Sequence, residues 1–307
     1  MHITDLLKQR KTTVSFEFFP PKTEKGASAL FEEISKLAPL KPSFVSTTYG
    51  AGGSTRDLTR ELVLKIKGET PIEVVPHLTC VTHTEAEIYD ILEAYANAGI
   101  SNILALGGDP PSNTEQYDRS KDAFRYASEL VRFIRNFKDR AGGGQISDTR
   151  GFGIGVAGFP EGHPSTPNRL TEIDLLKAKI DEGADFIITQ LFFDHRDFTD
   201  FCERCEIAGI TVPIIAGVMP ITSIKGMKRM TELAAGARIP AALLRSVQRC
   251  QDDSDAVQRV GVHWATEQCR VLLDQEVRGI HLYTLNQSSA TRDIYATLGI
   301  RDSLVVA

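Results

Sequence analysis

Several side chains capable of acid–base chemistry or ligand binding lie at the ends of short apolar runs in this sequence. The most unusual is Glu17, because its neighbours Phe16, Phe18 and Phe19 offer it no polar partner. Burying an unpaired carboxylate costs free energy, so function explains a carboxyl at this position better than folding does. We therefore predict that Glu17 is a functional residue and that desolvation lets its carboxyl hold a proton near neutral pH.

Other polar residues stand at comparable places near later apolar runs. Asp109 follows Gly107 and Gly108, and two glycines would let a ligand approach the backbone closely, although Gly, Asp and Pro are also common turn formers. His77 could instead be a satisfied core imidazole, and Gln190 could simply tie down a loop. The residues at the ends of the apolar runs are Glu17, Thr48, Tyr49, His77, Asp109, His163, Gln190, Met219, Tyr283 and Asn286.

These residues can meet only if the fold gathers the ends of many strands at one place. Eight β-like runs occur at residues 13–18, 43–49, 73–79, 102–107, 152–157, 186–192, 212–218 and 279–285, separated by segments of helical period. The pattern predicts an α/β protein with a single (βα)8 TIM barrel across residues 1–307, in which residues 239–277 insert extra helices before the eighth strand. In such barrels the functional residues lie at the C-terminal ends of the strands.

Composition limits the classes of partner. The chain has 307 residues, 42% hydrophobic and 24% charged, with 35 Lys plus Arg against 40 Asp plus Glu and a net charge of -5. This mixture is typical of a globular protein and offers no basic field for nucleic acid or anionic lipid. The five cysteines do not suggest a disulfide framework, and residues 1–12 lack a signal-peptide pattern. We expect a soluble cytoplasmic protein that binds a small molecule.

Two motifs match ligand-binding strings but lack the structural context that such strings require. Residues 153–158 fit the glycine pattern of dinucleotide-binding folds, yet they fall inside a predicted strand and precede a proline-rich loop instead of a helix. Cys202 and Cys205 have the spacing of a metal or redox pair, but they lie within a predicted helix and lack a second pair of ligands. We therefore expect neither that type of dinucleotide site nor a metal site.

The chain as a whole resembles the methylenetetrahydrofolate reductase family, in the form in which the catalytic barrel occurs alone in bacteria. The resemblance extends from about residue 13 to residue 300, and the matching stretches are 15–21, 48–51, 76–80, 108–110, 126–130, 160–164, 188–194 and 283–286. It implies FAD-dependent reduction of 5,10-methylenetetrahydrofolate to 5-methyltetrahydrofolate by NADH or NADPH, a step that supplies methyl groups for methionine synthesis. It also implies a homo-oligomer, either a dimer or a tetramer.

The resemblance assigns roles to individual positions. Glu17 matches the acid that protonates folate N10, and Asp109 matches an aspartate between the flavin and the pterin. Gln190 matches a residue that contacts whichever substrate stacks on the flavin, and Thr48 and Tyr283 match further substrate-binding positions. The positions that match FAD contacts are Tyr49, Ala51, His77, Gly108, Asp109, Tyr126, Ala127, His163 and Lys179.

Two other functions remain open from the sequence alone. Gly107 and Gln287 stand where many family members have arginine, and Phe159 stands where many have tyrosine. These differences leave room for a non-catalytic barrel that binds folate or flavin. Another flavin-dependent barrel oxidoreductase, similar to proline dehydrogenase, would need cations to clamp a substrate carboxylate, and the predicted strand ends hold few of them.

Overall fold

The computed structural model describes residues 1–50, 55–111, 117–139, 146, 148–163, 165–166, 168–234 and 237–306. Eight parallel strands pair in chain order, and the last pairs with the first, so the sheet closes into a barrel. The predicted (βα)8 barrel is therefore confirmed. The strands are β1 (Thr13–Phe18), β2 (Phe44–Thr47), β3 (Val74–Thr79), β4 (Asn102–Leu106), β5 (Gly153–Gly158), β6 (Phe186–Thr189), β7 (Ile214–Val218) and β8 (Gly279–Tyr283).

Helices alternate with the strands and pack around the barrel. Across the described residues they are α1 (Ile3–Gln9), α2 (Glu24–Leu37), α3 (Arg56–Glu69), α4 (Glu85–Asn97), α5 (Ala127–Arg135), α6 (Arg169–Asp181), α7 (His195–Ile207), α8 (Ile224–Leu233), α9 (Ala241–Arg249), α10 (Ser254–Asp274) and α11 (Ser289–Leu298). Three of them, α8 to α10, lie between β7 and β8. None of the helices described here is both long enough and apolar enough to cross a membrane.

Helix α4 shows how local sequence sets these elements. Thr84 caps the helix by accepting a hydrogen bond from the Glu87 backbone, and the Glu87 carboxylate accepts one from the Thr84 N–H. Ile88 and Leu92, one turn apart, are fully buried in the main core. That core forms where such apolar helix faces meet the outward-facing residues of the strands.

Several strands are shorter than the sequence predicts. The apolar run at 186–192 continues past β6, which ends at Thr189. Leu191 and Phe193 stay buried because they pack with Met219 and Leu243 in a second cluster, which residues of α8, α9 and α10 complete. The residues that follow β6 are therefore apolar because they are buried against these helices, and not because they pair with a neighbouring strand.

The barrel interior is apolar at the N-terminal ends of the strands, and α1 closes it there. The sequence analysis did not predict this helix. Asn102 of β4 fastens it, because Oδ1 accepts a hydrogen bond from Ile3 N at 2.9 Å and Nδ2 donates to Met1 O at 2.8 Å. The apolar cluster comprises Ile3, Leu6 and Leu7 of α1 with the strand residues Phe44, Val75, Leu104, Phe186, Ile188 and Ile215.

The glycine pattern at residues 153–158 coincides with β5, within the strand, as expected. A Cβ on Gly155 would lie 2.5 Å from the Phe186 ring and 2.8 Å from Leu104. Large side chains from both neighbouring strands thus occupy the space that a side chain at this position would need. Close packing in the barrel, and not a phosphate ligand, explains this motif.

We expect Asn102→Ala to lower the free energy of unfolding by about 2–3 kcal/mol, because it leaves the buried Ile3 N–H without an acceptor. Equilibrium urea denaturation measures the change. Asn97→Ala, at an exposed position at the end of α4, is the control and should change stability by less than about 0.5 kcal/mol. Equal stability of Asn102→Ala and the wild-type protein would show that α1 is not held in this way.

Candidate active site

Side chains alternate between the two faces of a strand, so residues two apart point into the barrel together. Near the C-terminal ends of the strands the inward side chains are polar, in contrast to the apolar cluster at the other end. Strand register places Glu17 directly opposite Ser46 on one side and Tyr283 on the other. We call this set the polar layer; its members are Ser15, Glu17, Ser46, His77, His281 and Tyr283.

The Glu17 carboxylate receives its partners from three other strands. Its Oε2 accepts a hydrogen bond from Ser46 Oγ at 3.4 Å and lies 3.5 Å from His77 Nε2 and 3.7 Å from His281 Nε2. In the part of the chain that the structure describes, no lysine or arginine pairs with it. The expectation of an unpartnered carboxylate is therefore wrong. The flanking Phe16 and Phe18 belong to the outer core, while Glu17 points inward.

His281 is fully buried and uses both ring nitrogens. Nδ1 lies 2.7 Å from Ser15 Oγ, its neighbour in the strand register, and Nε2 lies 3.1 Å from Ser46 Oγ. The Ser46 hydroxyl carries only one proton, which it donates to Glu17. Ser46 Oγ must therefore accept from His281 Nε2–H, and the unprotonated Nδ1 of His281 accepts from the Ser15 hydroxyl. A continuous chain of hydrogen bonds thus leads from Ser15 to the Glu17 carboxylate and fixes its orientation.

His77 is held in the barrel as a neutral imidazole. Burial lowers its pKa to about 4; Glu17 opposes this shift and His281 adds to it. Neither His77 Nε2 nor Thr79 Oγ1, two residues further along the same strand, has a hydrogen-bond partner within the described residues. Buried polar atoms in folded proteins almost always have a partner. These two groups therefore mark a place where a polar ligand would fit.

Tyr283 crosses the barrel from β8 to β6. Its hydroxyl donates a hydrogen bond to the carbonyl of Thr189 at 2.7 Å, and its ring lies edge-on to His281 with the centroids 5.3 Å apart. The side chain passes over Gly217 of β7, where a Cβ would lie 2.8 Å from the tyrosine ring. Burial, and secondarily Glu17, raise the pKa of Tyr283, so its phenol remains protonated.

The remaining substrate-binding candidates stand beside the polar layer. Thr48 follows β2, and its backbone N–H donates to Phe18 O at 2.9 Å. The Gln190 side-chain oxygen accepts from Leu191 N at 2.9 Å, which leaves its NH2 group without a partner among the residues described. Asp109 is exposed and makes no hydrogen bond to another described residue. Its carboxylate can therefore accept hydrogen bonds from a ligand.

Two of the cofactor-binding candidates lie after β4, and two begin α5. Gly108 has a φ of +75°, and a Cβ there would lie 2.8 Å from Thr79, so only glycine lets the loop pack this closely. Tyr126 precedes the first residue of α5 and is 50% exposed, whereas the adjacent Ala127 is buried. The backbone at Gly108 is half-buried and its carbonyl accepts a hydrogen bond from Arg119, whereas the exposed part of the Tyr126 side chain is open to a flat ligand.

Two further candidates lie beyond β5. The Lys179 ammonium extends from α6 to the carbonyl of Ala157 at 3.1 Å. Burial lowers the pKa of Lys179, and the buried Glu172 partly opposes that shift. His163 Nδ1 lies 2.6 Å from the Ser165 hydroxyl. A buried ammonium of this kind is stabilised when an anionic ligand approaches it.

Tyr49 lies in the loop after β2, and its hydroxyl is 2.8 Å from His83 Nε2. The sequence analysis did not single out His83. Ala51, which the resemblance also assigns to cofactor binding, lies outside the described residues.

The structure brings three predicted site residues, Glu17, His77 and Tyr283, into the polar layer and leaves Asp109 and Tyr126 exposed. The sequence analysis missed the other members of that layer. Their signal is the two-residue period of a strand. Ser15 precedes Glu17 by two residues, Ser46 precedes Thr48, and His281 precedes Tyr283.

Comparison with known proteins identifies the same family that the sequence resembles. The sequence model of the family described as "Methylenetetrahydrofolate reductase" matches residues 2–299. Methylenetetrahydrofolate reductase (NADH) 1 of Arabidopsis thaliana is 39% identical over 98% of this chain and 50% of its own length. The 5,10-methylenetetrahydrofolate reductase of Escherichia coli is 37% identical over 96% of this chain and 94% of its own length. The chain thus spans about half the length of the plant relatives it matches and nearly all of the bacterial one.

A solved structure supports the fold. It is described as an uncharacterized protein from Clostridium thermocellum that binds two copies of 5-methyl-5,6,7,8-tetrahydrofolic acid. It superposes with a TM-score of 0.64 and 15% sequence identity, and covers 98% of this chain and 99% of that one. At this identity the similarity concerns the fold alone.

The buried neutral imidazole of His77 should make stability depend on pH. The unfolded imidazole binds a proton below about pH 6.5, whereas the folded one does so only near pH 4. The unfolding free energy should therefore fall as the pH falls between these values, with about 3 kcal/mol of that loss due to His77. Urea denaturation across this range measures the slope for the wild-type protein and for His77→Gln, which should lose less stability. His263→Gln, at an exposed position, should keep the wild-type slope; parallel curves for all three proteins would contradict the assignment.

Proposed function

Because the chain belongs to the methylenetetrahydrofolate reductase family, we propose that it reduces 5,10-methylenetetrahydrofolate to 5-methyltetrahydrofolate, with FAD as cofactor and NADH or NADPH as reductant. The Escherichia coli relative, 94% of which the match covers, is named for this reaction. In the cell the reaction would supply methyl groups for methionine synthesis. We also propose that the chain acts as one catalytic barrel domain in the cytoplasm and assembles into a homo-oligomer.

The observation that carries the proposal is the environment of Glu17. The carboxyl points into the barrel mouth, is only 18% exposed, accepts a hydrogen bond from Ser46, and lies within 3.7 Å of the His77 and His281 rings. A guanidinium or ammonium beside it would favour the carboxylate and keep a proton off. The described residues place no such cation there. This position and these partners support the general acid role that we propose for Glu17.

The substrate needs such a proton, because its methylene carbon bridges N5 and N10 in a five-membered ring. When Glu17 protonates N10, the carbon–N10 bond breaks, its electron pair stays on N10, and an iminium forms at N5. A hydride then adds to the methylene carbon and gives the methyl group. Ser46 and His281 would hold the carboxylate that Glu17 becomes, and this kind of general acid help typically contributes about 10²- to 10⁴-fold.

When bound, FAD would carry the hydride from the reduced dinucleotide to the folate. The residues at the barrel mouth fit this group. His77 Nε2 and Thr79 Oγ1 are buried without hydrogen-bond partners in the described structure, and Lys179 supplies a buried ammonium suited to a phosphate. We propose that the residues that hold FAD are Tyr49, Ala51, His77, Gly108, Asp109, Tyr126, Ala127, His163 and Lys179.

The substrates would stack on the flavin in turn and bind to Thr48, Asp109, Gln190 and Tyr283. The Asp109 carboxylate can accept hydrogen bonds from pterin nitrogens and stabilise the positive charge of the iminium, which is a catalytic role. The Gln190 NH2 group is available to either substrate. Because one place serves the dinucleotide first and the folate second, the kinetics should be ping-pong.

Flavin colour tests the proposed function directly. The purified protein, supplied with FAD, should be yellow and should lose this colour when NADH or NADPH is added in the absence of oxygen. Methylenetetrahydrofolate should then restore it, because the folate takes up the hydride. A protein that binds no FAD, or one whose reduced flavin the folate cannot reoxidise, would contradict the proposal.

Glu17→Gln should separate the two half-reactions. Flavin reduction by the dinucleotide should stay within about twofold of the wild-type rate, while reoxidation by the folate should slow by at least about 10²-fold, because an amide cannot replace the acid. Anaerobic stopped-flow absorbance measures both rates. Glu24→Gln, at an exposed position at the start of α2, is the control and should leave both unchanged. Similar losses in both half-reactions would refute the acid role.

A further inference from the structure

A histidine outside the polar layer holds one of the proposed cofactor-binding residues. His83 lies in the turn after β3, and its ring packs against Tyr49 with the centroids 5.6 Å apart and an interplanar angle of 51°. The Tyr49 hydroxyl is 2.8 Å from His83 Nε2, and the Val81 carbonyl is 2.6 Å from His83 Nδ1. His83 therefore bridges its own turn and the loop after β2.

The two contacts determine which atoms carry the protons. The Val81 carbonyl can only accept, so His83 Nδ1 must be protonated and donate to it. In a neutral imidazole Nε2 is then an acceptor, and the Tyr49 hydroxyl donates its proton to it. The phenol proton of Tyr49 is thus used in the hydrogen bond to His83 and is not available to a ligand. What Tyr49 presents to a ligand is the face of its ring and the lone pairs of its oxygen.

The backbone holds His83 rigidly in this position. The preceding residue, Thr82, has a φ of +61°, which is uncommon for a threonine and turns the chain sharply. The Thr82 N–H donates to the Tyr117 hydroxyl and to Asp122 Oδ1, both at 2.8 Å, and Ala123 N donates to His83 O at 2.9 Å. The imidazole itself is only 2% exposed. Its position is therefore fixed before any ligand binds.

The charged groups around His83 come from three segments. Arg56 of α3 disfavours protonation of the ring, whereas Glu87 of α4 and Asp122 favour it. Arg56 and Glu87 also pair with each other at 2.9 Å, which reduces the net effect of both. Burial is the largest influence, and it lowers the pKa of His83 below its ordinary value. The ring is accordingly neutral at neutral pH, as the two hydrogen bonds require.

We propose that His83 is a positioning residue that fixes Tyr49 with its oxygen as a hydrogen-bond acceptor for the cofactor, so that cofactor affinity depends on the neutral, Nδ1-protonated imidazole. The proposal rests on the proposed function, because it takes Tyr49 to contact FAD. In acid the imidazole gains a proton on Nε2 and becomes a donor there. It can then no longer accept a hydrogen bond from Tyr49. The O–H bond of Tyr49 must point elsewhere, and His83 no longer fixes its direction.

Three variants test the proposal through the affinity for FAD, measured by quenching of flavin fluorescence. His83→Phe keeps a ring but removes both nitrogens, and should weaken FAD binding about fivefold, as expected for the loss of one neutral hydrogen bond. His83→Gln retains an acceptor for Tyr49 and a donor for Val81, and should restore affinity to within about twofold of the wild-type value. Tyr49→Phe should match His83→Phe, and the double variant should be no worse than either single one.

The pH profile separates positioning from simple packing. As the pH falls below about 6.5, the ordinary pKa of histidine, FAD affinity of the wild-type protein should fall more steeply than that of His83→Gln, which has no imidazole at this position. Other titrating groups, such as His77 and the phosphates of FAD, affect both proteins equally. His263→Gln, which changes an exposed histidine, should keep the wild-type slope. If His83→Gln has the wild-type slope, or if His83→Phe binds FAD normally, the proposal is wrong.

A second readout needs no cofactor. In protein labelled with ¹⁵N-histidine, the resonances lost in His83→Gln belong to His83, and they should show one neutral tautomer with its proton on Nδ1. Tyr49→Phe should shift the Nε2 resonance, whereas Tyr295→Phe, at a buried tyrosine in the main core whose hydroxyl pairs with Ser303, should not. A proton on Nε2 at neutral pH would overturn the proposal. A protein that shows the expected tautomer but binds no FAD would instead refute the proposed function and leave the Tyr49–His83 contact intact.

Discussion

The Glu17 carboxyl stands in the barrel mouth with hydroxyl and imidazole partners and, among the described residues, no lysine or arginine beside it. This combination is the constraint that shapes the site. A fixed cation would hold the group as a carboxylate, and a wholly apolar pocket would make its ionised form costly. Ser46 donates to the Glu17 carboxylate and itself contacts the buried His281 ring, so this support comes from a hydroxyl and an imidazole. This is the setting in which we propose that Glu17 acts as the general acid.

The fold provides this support by dividing the barrel interior into two zones. At one end large apolar side chains and α1 fill the axis, and Gly155 makes room for them. At the other end the same inward positions carry serine, glutamate, histidine and tyrosine. Tyr283 can lie across this end only because Gly217 leaves space for its ring, and its hydroxyl then ties β8 to the carbonyl just before Gln190. The apolar zone closes one end of the barrel, and the polar layer holds the residues to which we assign the proposed chemistry.

The sequence predicts the barrel correctly because each strand is covered on both faces and so reads as an apolar run, with a helical segment after it. It also places Glu17, His77 and Tyr283 at strand ends. It does not reveal the partners of Glu17, because Ser46 and His281 meet it only through the register between neighbouring strands once the barrel closes. Helix α1 was missed because seven residues give too short a pattern, and its burial depends on the tertiary contact with Asn102. His83 was missed because its importance lies in a contact between two loops.

The most direct test of the central claim is a crystal structure of the Glu17→Gln protein with FAD and methylenetetrahydrofolate, since a variant that cannot protonate the substrate should trap it. The account predicts that the side chain at position 17 lies within about 3 Å of folate N10, or reaches it through one ordered water, and still contacts Ser46. A folate bound with N10 turned away from position 17, next to a different proton donor, would contradict it.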